Sequence, residues 1–222
     1  MLPENTPPVL EQPVQRLLSL LGADGPRRMI ALAGLPGAGK STLAARLAAE
    51  VNAQAGPGAM AVLGMDGFHL SRAALERLPD PDAALARRGA PWTFDPDALA
   101  QRLHDVRAGA GRAAVSWPGF DHGVGDPVEG AELVPPAARL VLVEGLYLLY
   151  TGDGWEAVRG AFEELWYLDT PLELAMDRLA RRHRTAWGMS REAAEARIAA
   201  NDRLNAEIVR ATRADADWWL RH

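Results

Sequence analysis

The eight residues Gly34-Leu35-Pro36-Gly37-Ala38-Gly39-Lys40-Ser41 constrain this chain more than any other stretch. They fit the pattern G-x-x-x-x-G-K-[ST], and the flanking residues supply the context that the pattern needs. Arg27 to Ala33 reads as a buried strand, and Ser41 to Glu50, rich in Ala and Leu, reads as a helix. Glycines between the two let successive backbone N–H groups face phosphate oxygens, and the helix N-terminus adds the positive end of its dipole. Gly34, Leu35, Pro36, Gly37, Ala38, Gly39, Lys40, Ser41 and Thr42 are therefore the candidate nucleotide-binding residues. Lys40 is placed to reach the outer phosphates and the Ser41 hydroxyl to ligate Mg²⁺. The structural alternative is a plain glycine turn between a core strand and a core helix.

The remaining bounds are broad. With 222 residues, 48% of them hydrophobic, the chain suffices for one sizeable α/β domain and falls short of a comfortable two. Cysteine is absent, which excludes disulfides and thiolate metal sites and makes a cytoplasmic setting the expectation. No run approaches the ~20 apolar residues of a membrane span. The Pro-rich residues 1–12 read as a poorly ordered tail and lack the basic start and apolar stretch of a signal peptide. A net charge of −5 argues against a nucleic-acid footprint. Basic residues cluster instead at Arg178, Arg181, Arg182 and Arg184, which suits a defined anionic ligand.

Strand and helix patterns alternate along the chain. Val14, Leu17, Leu18 and Leu21 recur at helical spacing, and Gly22 to Pro26 ends that helix. Ala59 to Met65 reads as a second buried strand, ending in Asp66-Gly67-Phe68-His69-Leu70. Ser71 to Phe94 is a mixture of short helical pieces and prolines. Asp95-Pro96-Asp97 reads as an N-cap with Pro in the first turn. A short strand is expected over Ala113 to Trp117, and a functional loop over Pro118 to Pro127, which is too glycine-rich for a core element. Leu140 to Val143 and Leu165 to Leu168 read as strands, followed by helices from Leu172 to about Arg184 and from Ser190 to about Arg210. Ala216 to Leu220 reads as a final edge strand, with a homodimer contact at Trp218-Trp219-Leu220 left open beside that reading. Such alternation predicts an α/β fold with a parallel sheet covered by helices on both faces.

Gripping a nucleotide does not by itself fix the reaction. A GTPase switch, an ATP-driven motor and a small-molecule kinase compete. No guanine-reading N-K-x-D motif follows an apolar strand, and the chain is short for a motor. It does carry an acidic residue at the end of two strands, Asp66 and Glu144. Phosphoryl transfer to an alcohol needs an in-line hydroxyl, Mg²⁺ and a carboxylate that accepts the hydroxyl proton. Asp66 is the candidate for that carboxylate, against an Asx turn at the strand exit. Glu144 is the candidate to hold Mg²⁺ or an acceptor hydroxyl, against a carboxylate satisfied by backbone N–H groups. Arg178 and Arg182, four apart on one helical face, are the candidates to clamp phosphates, and Arg181 is expected to point outward.

These residues resemble the phosphoribulokinase, uridine kinase and pantothenate kinase family of P-loop kinases. Met65 to Leu70 is similar to its D-[SG]-F segment, whose Asp serves as catalytic base. Val143-Glu144-Gly145 is similar to its E-G segment, and Arg178 to Arg184 to its arginine-bearing lid. Four strings resemble a bacterial branch described as the nucleoside/nucleotide kinase family, also labelled fructose transport system kinase. They are Arg87 to Asp95, Pro118 to His122, Glu144 to Leu149 and Asn201 to Asn205.

The resemblance implies a P-loop NTPase three-layer sandwich with about five core strands and a helical lid. It implies one kinase domain over 1–222, with an acceptor-binding insert at about 67–127 and a lid at about 178–192. It also implies an acceptor pocket made by Asp66, His69, Arg88, Asp121, His122, Glu144 and Tyr147, suited to hydroxyls with or without an anionic end. Trp92 and Phe94 are expected to pack the subdomain lid and not to stack on a substrate ring. The reading is an enzyme that uses ATP and Mg²⁺ to phosphorylate a hydroxyl of a small metabolite such as a sugar, a nucleoside or a pantothenate-like compound. Neither nucleic acid nor membrane is an expected partner. The rival reading is a regulatory nucleotide-binding module that hydrolyses slowly and has no acceptor.

Overall fold

The structure is a computed structural model that describes residues 10–22, 25–121 and 123–221. Its strands are β1 (Arg28–Gly34), β2 (Met60–Gly64), β3 (Val115–Asp121), β4 (Asp126–Val134), β5 (Leu140–Gly145), β6 (Glu164–Asp169) and β7 (Trp218–Arg221). Five of them form one sheet in the order β2-β5-β1-β6-β7, and every neighbouring pair is parallel. The expected α/β sheet is thus present, and β7 is its edge.

The helices are α1 (Glu11–Gly22), α2 (Lys40–Ala55), α3 (Arg72–Leu75), α4 (Pro81–Ala86), α5 (Pro96–Ala108), α6 (Trp155–Arg159), α7 (Leu172–Trp187), α8 (Arg191–Arg197) and α9 (Arg203–Ala211). Strand β1 lies at the centre, and Met29 to Ala33 are wholly buried. A strand covered on both faces needs a continuous apolar run, not alternation, which is how Met29-Ile30-Ala31-Leu32-Ala33 reads. Helix α1 turns Val14, Leu17 and Leu21 inward at the spacing its sequence predicts. The Asp95 carboxylate caps α5 by accepting from Ala98 N at 2.9 Å, with Pro96 at the first turn as expected.

Just before β1, Arg27 is 2% exposed, and burial pulls its guanidinium below the ordinary arginine range. Its Nε donates to Ala138 O at 2.7 Å, Nη1 to Val106 O at 2.5 Å, and Nη2 to Pro135 O at 2.7 Å. Hydrogen bonds to a charged group contribute about 1.5–3 kcal/mol each, enough together to offset several kcal/mol of desolvation. Arg27 therefore ties the lower end of β1 to the segments entering β5 and leaving α5.

Three expectations are corrected. Residues 11 and 12 belong to α1, while residues 1–9 of the expected tail lie outside the described residues. The stretch Pro118 to Pro127 is not an open loop. Strands β3 and β4 pair antiparallel from Val115↔Val134 to Asp121↔Asp126, with a register shift between Trp117 and Gly119. Pro118 interrupts the ladder there because it has no N–H. The helix expected from Ser190 to about Arg210 is broken by a π turn at Ile198–Asp202, closed by Arg203 N donating to Ile198 O.

Candidate active site

The site lies at the C-terminal ends of β1, β2 and β5, the edge at which open parallel sheets receive ligands. Gly37 and Gly39 adopt φ of 78° and 96°, and a Cβ on Gly37 would stand 2.3 Å from Ala175 O. No side chain caps α2, so its first amides face the loop unclaimed by a side chain. A glycine cradle at an uncapped helix start fits an oligophosphate.

Lys40 is 8% exposed, and its Nζ donates to Gly34 O at 3.0 Å and Leu35 O at 3.1 Å. Burial pulls its ammonium below the ordinary lysine range, opposed by the charges of Glu144 and Asp66. The next residue, Ser41, donates through Oγ to Glu144 Oε1 at 2.8 Å. Burial pushes the Glu144 carboxyl above the usual range and the charge of Asp66 adds to that, while Lys40, Ser41 and Arg182 oppose it. In place of the backbone N–H groups considered for Glu144, the structure supplies the Ser41 hydroxyl. A hydroxyl beside a carboxylate is a hard-oxygen pair suited to Mg²⁺. Among the described residues no cluster of three His, Asp or Glu side chains could hold a metal alone. An ion at this pair therefore needs phosphate and water for its other ligands.

Two adjacent strands carry the carboxylates. Leu32 is in register with Glu144, and Glu144 with Gly64, so Asp66 follows the strand beside Glu144. Asp66 sits in a 3₁₀ turn, Met65–Phe68. That turn is closed by the main-chain oxygen of Asp66, which accepts from His69 N at 3.2 Å and lies 2.8 Å from His69 Nδ1. Its side chain is exposed and bears on Lys40 and Glu144. A Cβ on Gly67 would lie 2.0 Å from Pro118 O, so the hairpin presses directly on this turn.

Helix α7 brings Arg178 and Arg182 toward the loop. Arg178 Nη1 donates to Ala38 O at 3.4 Å, and the charge of Arg182 bears on both Lys40 and Glu144. Arg181 and Arg184 are exposed.

The acceptor set divides. The His69 ring lies tilted against Phe94 and Phe120, with ring centroids 3.9 Å and 4.8 Å away, and Phe94 is buried while Trp92 is exposed. Arg88 is engaged by the scaffold. Its guanidinium donates to Asp126 Oδ1 at 2.7 Å, to Leu70 O at 2.9 Å and to Gly125 O. Burial works against the Asp126 charge, but the Arg72 amide and Arg88 overcome it and hold that carboxyl below the usual range. Asp121 Oδ1 accepts from Gly123 N at 2.7 Å and Val124 N at 3.1 Å, which shapes the hairpin turn. Tyr147 is 1% exposed and donates to Gly89 O at 2.6 Å, and burial drives its phenol far above the ordinary range. These three expected pocket residues thus have framework partners, because each finds a buried or main-chain acceptor or donor nearby. His122 lies outside the described residues.

Asn201 and Asn205, outside the candidate site residues, are 4% and 3% exposed and bind Arg87. The signal was present: two asparagines four apart on a helix share a face, and buried amides demand partners.

The sequence profile of the Phosphoribulokinase / Uridine kinase family matches residues 29–220. An ATP-dependent kinase-like protein of Aspergillus versicolor is 40% identical over 149 residues, which cover 65% of this chain and 86% of that protein. A protein of Schizosaccharomyces pombe named as a candidate uridine kinase is 37% identical over 185 residues, covering 82% of this chain and 78% of its own. The crystal structure of a candidate fructose transport system kinase from a Silicibacter species superposes with a TM-score of 0.84 at 35% identity, covering 95% of this chain and 98% of that one. No helix among the described residues is long and apolar enough to cross a membrane. With a profile match from Met29 in β1 to Leu220 in β7, the chain belongs to the phosphoribulokinase / uridine kinase family of P-loop kinases.

Proposed function

We propose that this protein transfers the γ-phosphoryl group of ATP to a hydroxyl of a small metabolite. The observation that carries the reading is the convergence of Asp66 and Glu144, from the ends of neighbouring strands, on the Lys40 ammonium. Residues 34–42 bind the phosphates through main-chain N–H groups. Lys40 and Arg182 lie where negative charge develops, and Arg178 holds the lid to Ala38. Ser41 and Glu144 would hold Mg²⁺, which when bound neutralises the β- and γ-oxygens. Asp66 orients the acceptor hydroxyl and takes its proton as the new bond from that oxygen to the γ-phosphorus forms and the bond to the β-phosphate oxygen breaks, releasing ADP. His69, whose ring lies against Phe120, is the proposed contact to the acceptor beside Asp66. Because Arg88 is already neutralised by Asp126, the geometry favours an acceptor held by its hydroxyls over one held by an anionic end.

The test is ADP release by purified protein with Mg²⁺ and ATP against a panel of sugars, nucleosides, pantothenate and glycerate. Stimulation by one class above the acceptor-free rate is expected. A rate that no acceptor raises would overturn the reading in favour of a slow regulatory NTPase.

A further inference from the structure

Asn201 and Asn205 join the segment behind the acceptor site to the segment behind the lid. Arg87 Nε donates to Asn201 Oδ1 at 3.1 Å, and Arg87 Nη2 to Asn205 Oδ1 at 3.0 Å. Asn201 Nδ2 returns a bond to Arg88 O at 2.8 Å. Both asparagines are buried, so a lost partner leaves a polar group with no water to replace it.

The connections continue in both directions. Asn201 lies in the π turn Ile198–Asp202. The turn's last residue, Asp202, places Oδ2 3.0 Å from Nε2 of buried His183 on α7, the residue after Arg182. On the other side, Arg88 bonds Leu70 O, at the exit of the Asp66 turn, and Asp126 at the start of β4. An unbroken series of bonds thus runs from the lid helix to both parts of the acceptor half. A π turn within a helix is the kind of local irregularity at which register can change.

We propose that Arg87, Asn201 and Asn205 are positioning residues that make the β3–β4 hairpin and the Asp66 turn follow the lid, so that nucleotide bound under Arg182 orders the acceptor half of the site. The proposal rests on the kinase reading for its ligand and goes beyond it in linking the two halves. None of the three residues needs to touch either substrate; they act through Arg88 and His183. Coupling of this kind is carried by contiguous, buried contacts with two arrangements, and its proof is a measured response at one end to a ligand at the other.

Amide hydrogen exchange on the full chain, with and without MgADP, supplies that measurement. In the wild type, MgADP should slow exchange in lid peptides around residues 178–190 and also in peptides covering residues 87–95 and 115–134. Arg87→Met removes both donors to the asparagines. It should keep the slowing in the lid and lose it in the acceptor peptides. Asn205→Asp keeps the acceptor for Arg87 and should retain both responses. Asn201→Leu removes the acceptor for Arg87 Nε and the donor to Arg88 O together, and should likewise keep the slowing in the lid and lose it in the acceptor peptides. Acceptor peptides that still respond in these deletions would overturn the coupling and leave the kinase reading standing. A wild type in which MgADP slows nothing, lid included, would overturn both.

Discussion

Ser41 Oγ stands 2.8 Å from Glu144 Oε1, a bond that joins the first turn of α2 to the end of β5. Burial is the main reason that the Glu144 carboxyl sits above its usual range. A group whose folded pKa is raised binds its proton more tightly when folded, so its contribution to stability is full below the unfolded value. That contribution is lost as pH rises through the folded value. Ligand-free protein should therefore lose stability relative to Glu144→Gln as pH climbs from the ordinary glutamate value of about 4.5 up through the raised folded value. Urea midpoints of the two proteins across that window check this. A constant difference between them would show that Glu144 titrates as it does in the unfolded chain.

Asp66 carries the assignment of the base. Its carboxylate has no side-chain role in the turn, which its main-chain oxygen closes. Asp66→Asn should keep MgADP affinity near the wild-type value and lower kcat by about 10²-fold or more, or roughly 2.7 kcal/mol in the barrier. Isothermal titration with MgADP and steady-state rates with the stimulating acceptor separate the two. Undiminished turnover would remove Asp66 from the role.

Lys40 is buried against two loop carbonyls in the ligand-free protein. Lys40→Met should abolish the rise in melting temperature caused by MgATP, since the loop amides alone then face the outer phosphates. At a ligand concentration 100 times the dissociation constant, that rise corresponds to about 2.7 kcal/mol in the wild type. A full thermal shift in the variant would mean that the lysine does not reach the nucleotide.

Gly67 occupies the place where the related D-[SG]-F segment also allows serine. Any Cβ there would meet Pro118 O at 2.0 Å, a contact with backbone that cannot swing aside. Gly67→Ala and Gly67→Ser should each destabilise the protein by about 2–3 kcal/mol, comparable to overpacking a core. Thermal melts of both variants test this. Serine tolerated where alanine is not would place the hydroxyl, and not the β-carbon, in control.

The parts legible in the sequence were those whose physics is local. The loop from Gly34 to Ser41 declares itself because glycine spacing, lysine and hydroxyl must stand in a fixed order. Asp66 and Glu144 declare themselves because each ends an apolar strand. Arg88, Asp121 and Tyr147 did not reveal their duties, since their partners are chosen by tertiary structure. Arg88 meets Asp126, and Tyr147 meets Gly89, across tens of residues of chain. The β3–β4 hairpin was hidden by its own composition. Pro118, Gly119 and Gly125 are residues that strands usually avoid, yet Gly119 is needed because a Cβ would lie 2.8 Å from Ala131 Cβ. Asn201 and Asn205 were visible as residues but silent as a latch, because nothing near them in sequence names Arg87.

The central position of β1 also sets an order of events during synthesis. Residues 28–33 find partners at 140–145 on one side, and residues 30–34 at 164–168 on the other. At about 5–20 residues per second, the strand emerges many seconds before either neighbour exists. Its apolar run Met29 to Ala33 is bare throughout that interval, and the phosphate loop attached to it has no lower wall. Until those partners are made, only α1 and α2, its neighbours in the chain, are at hand to cover that run.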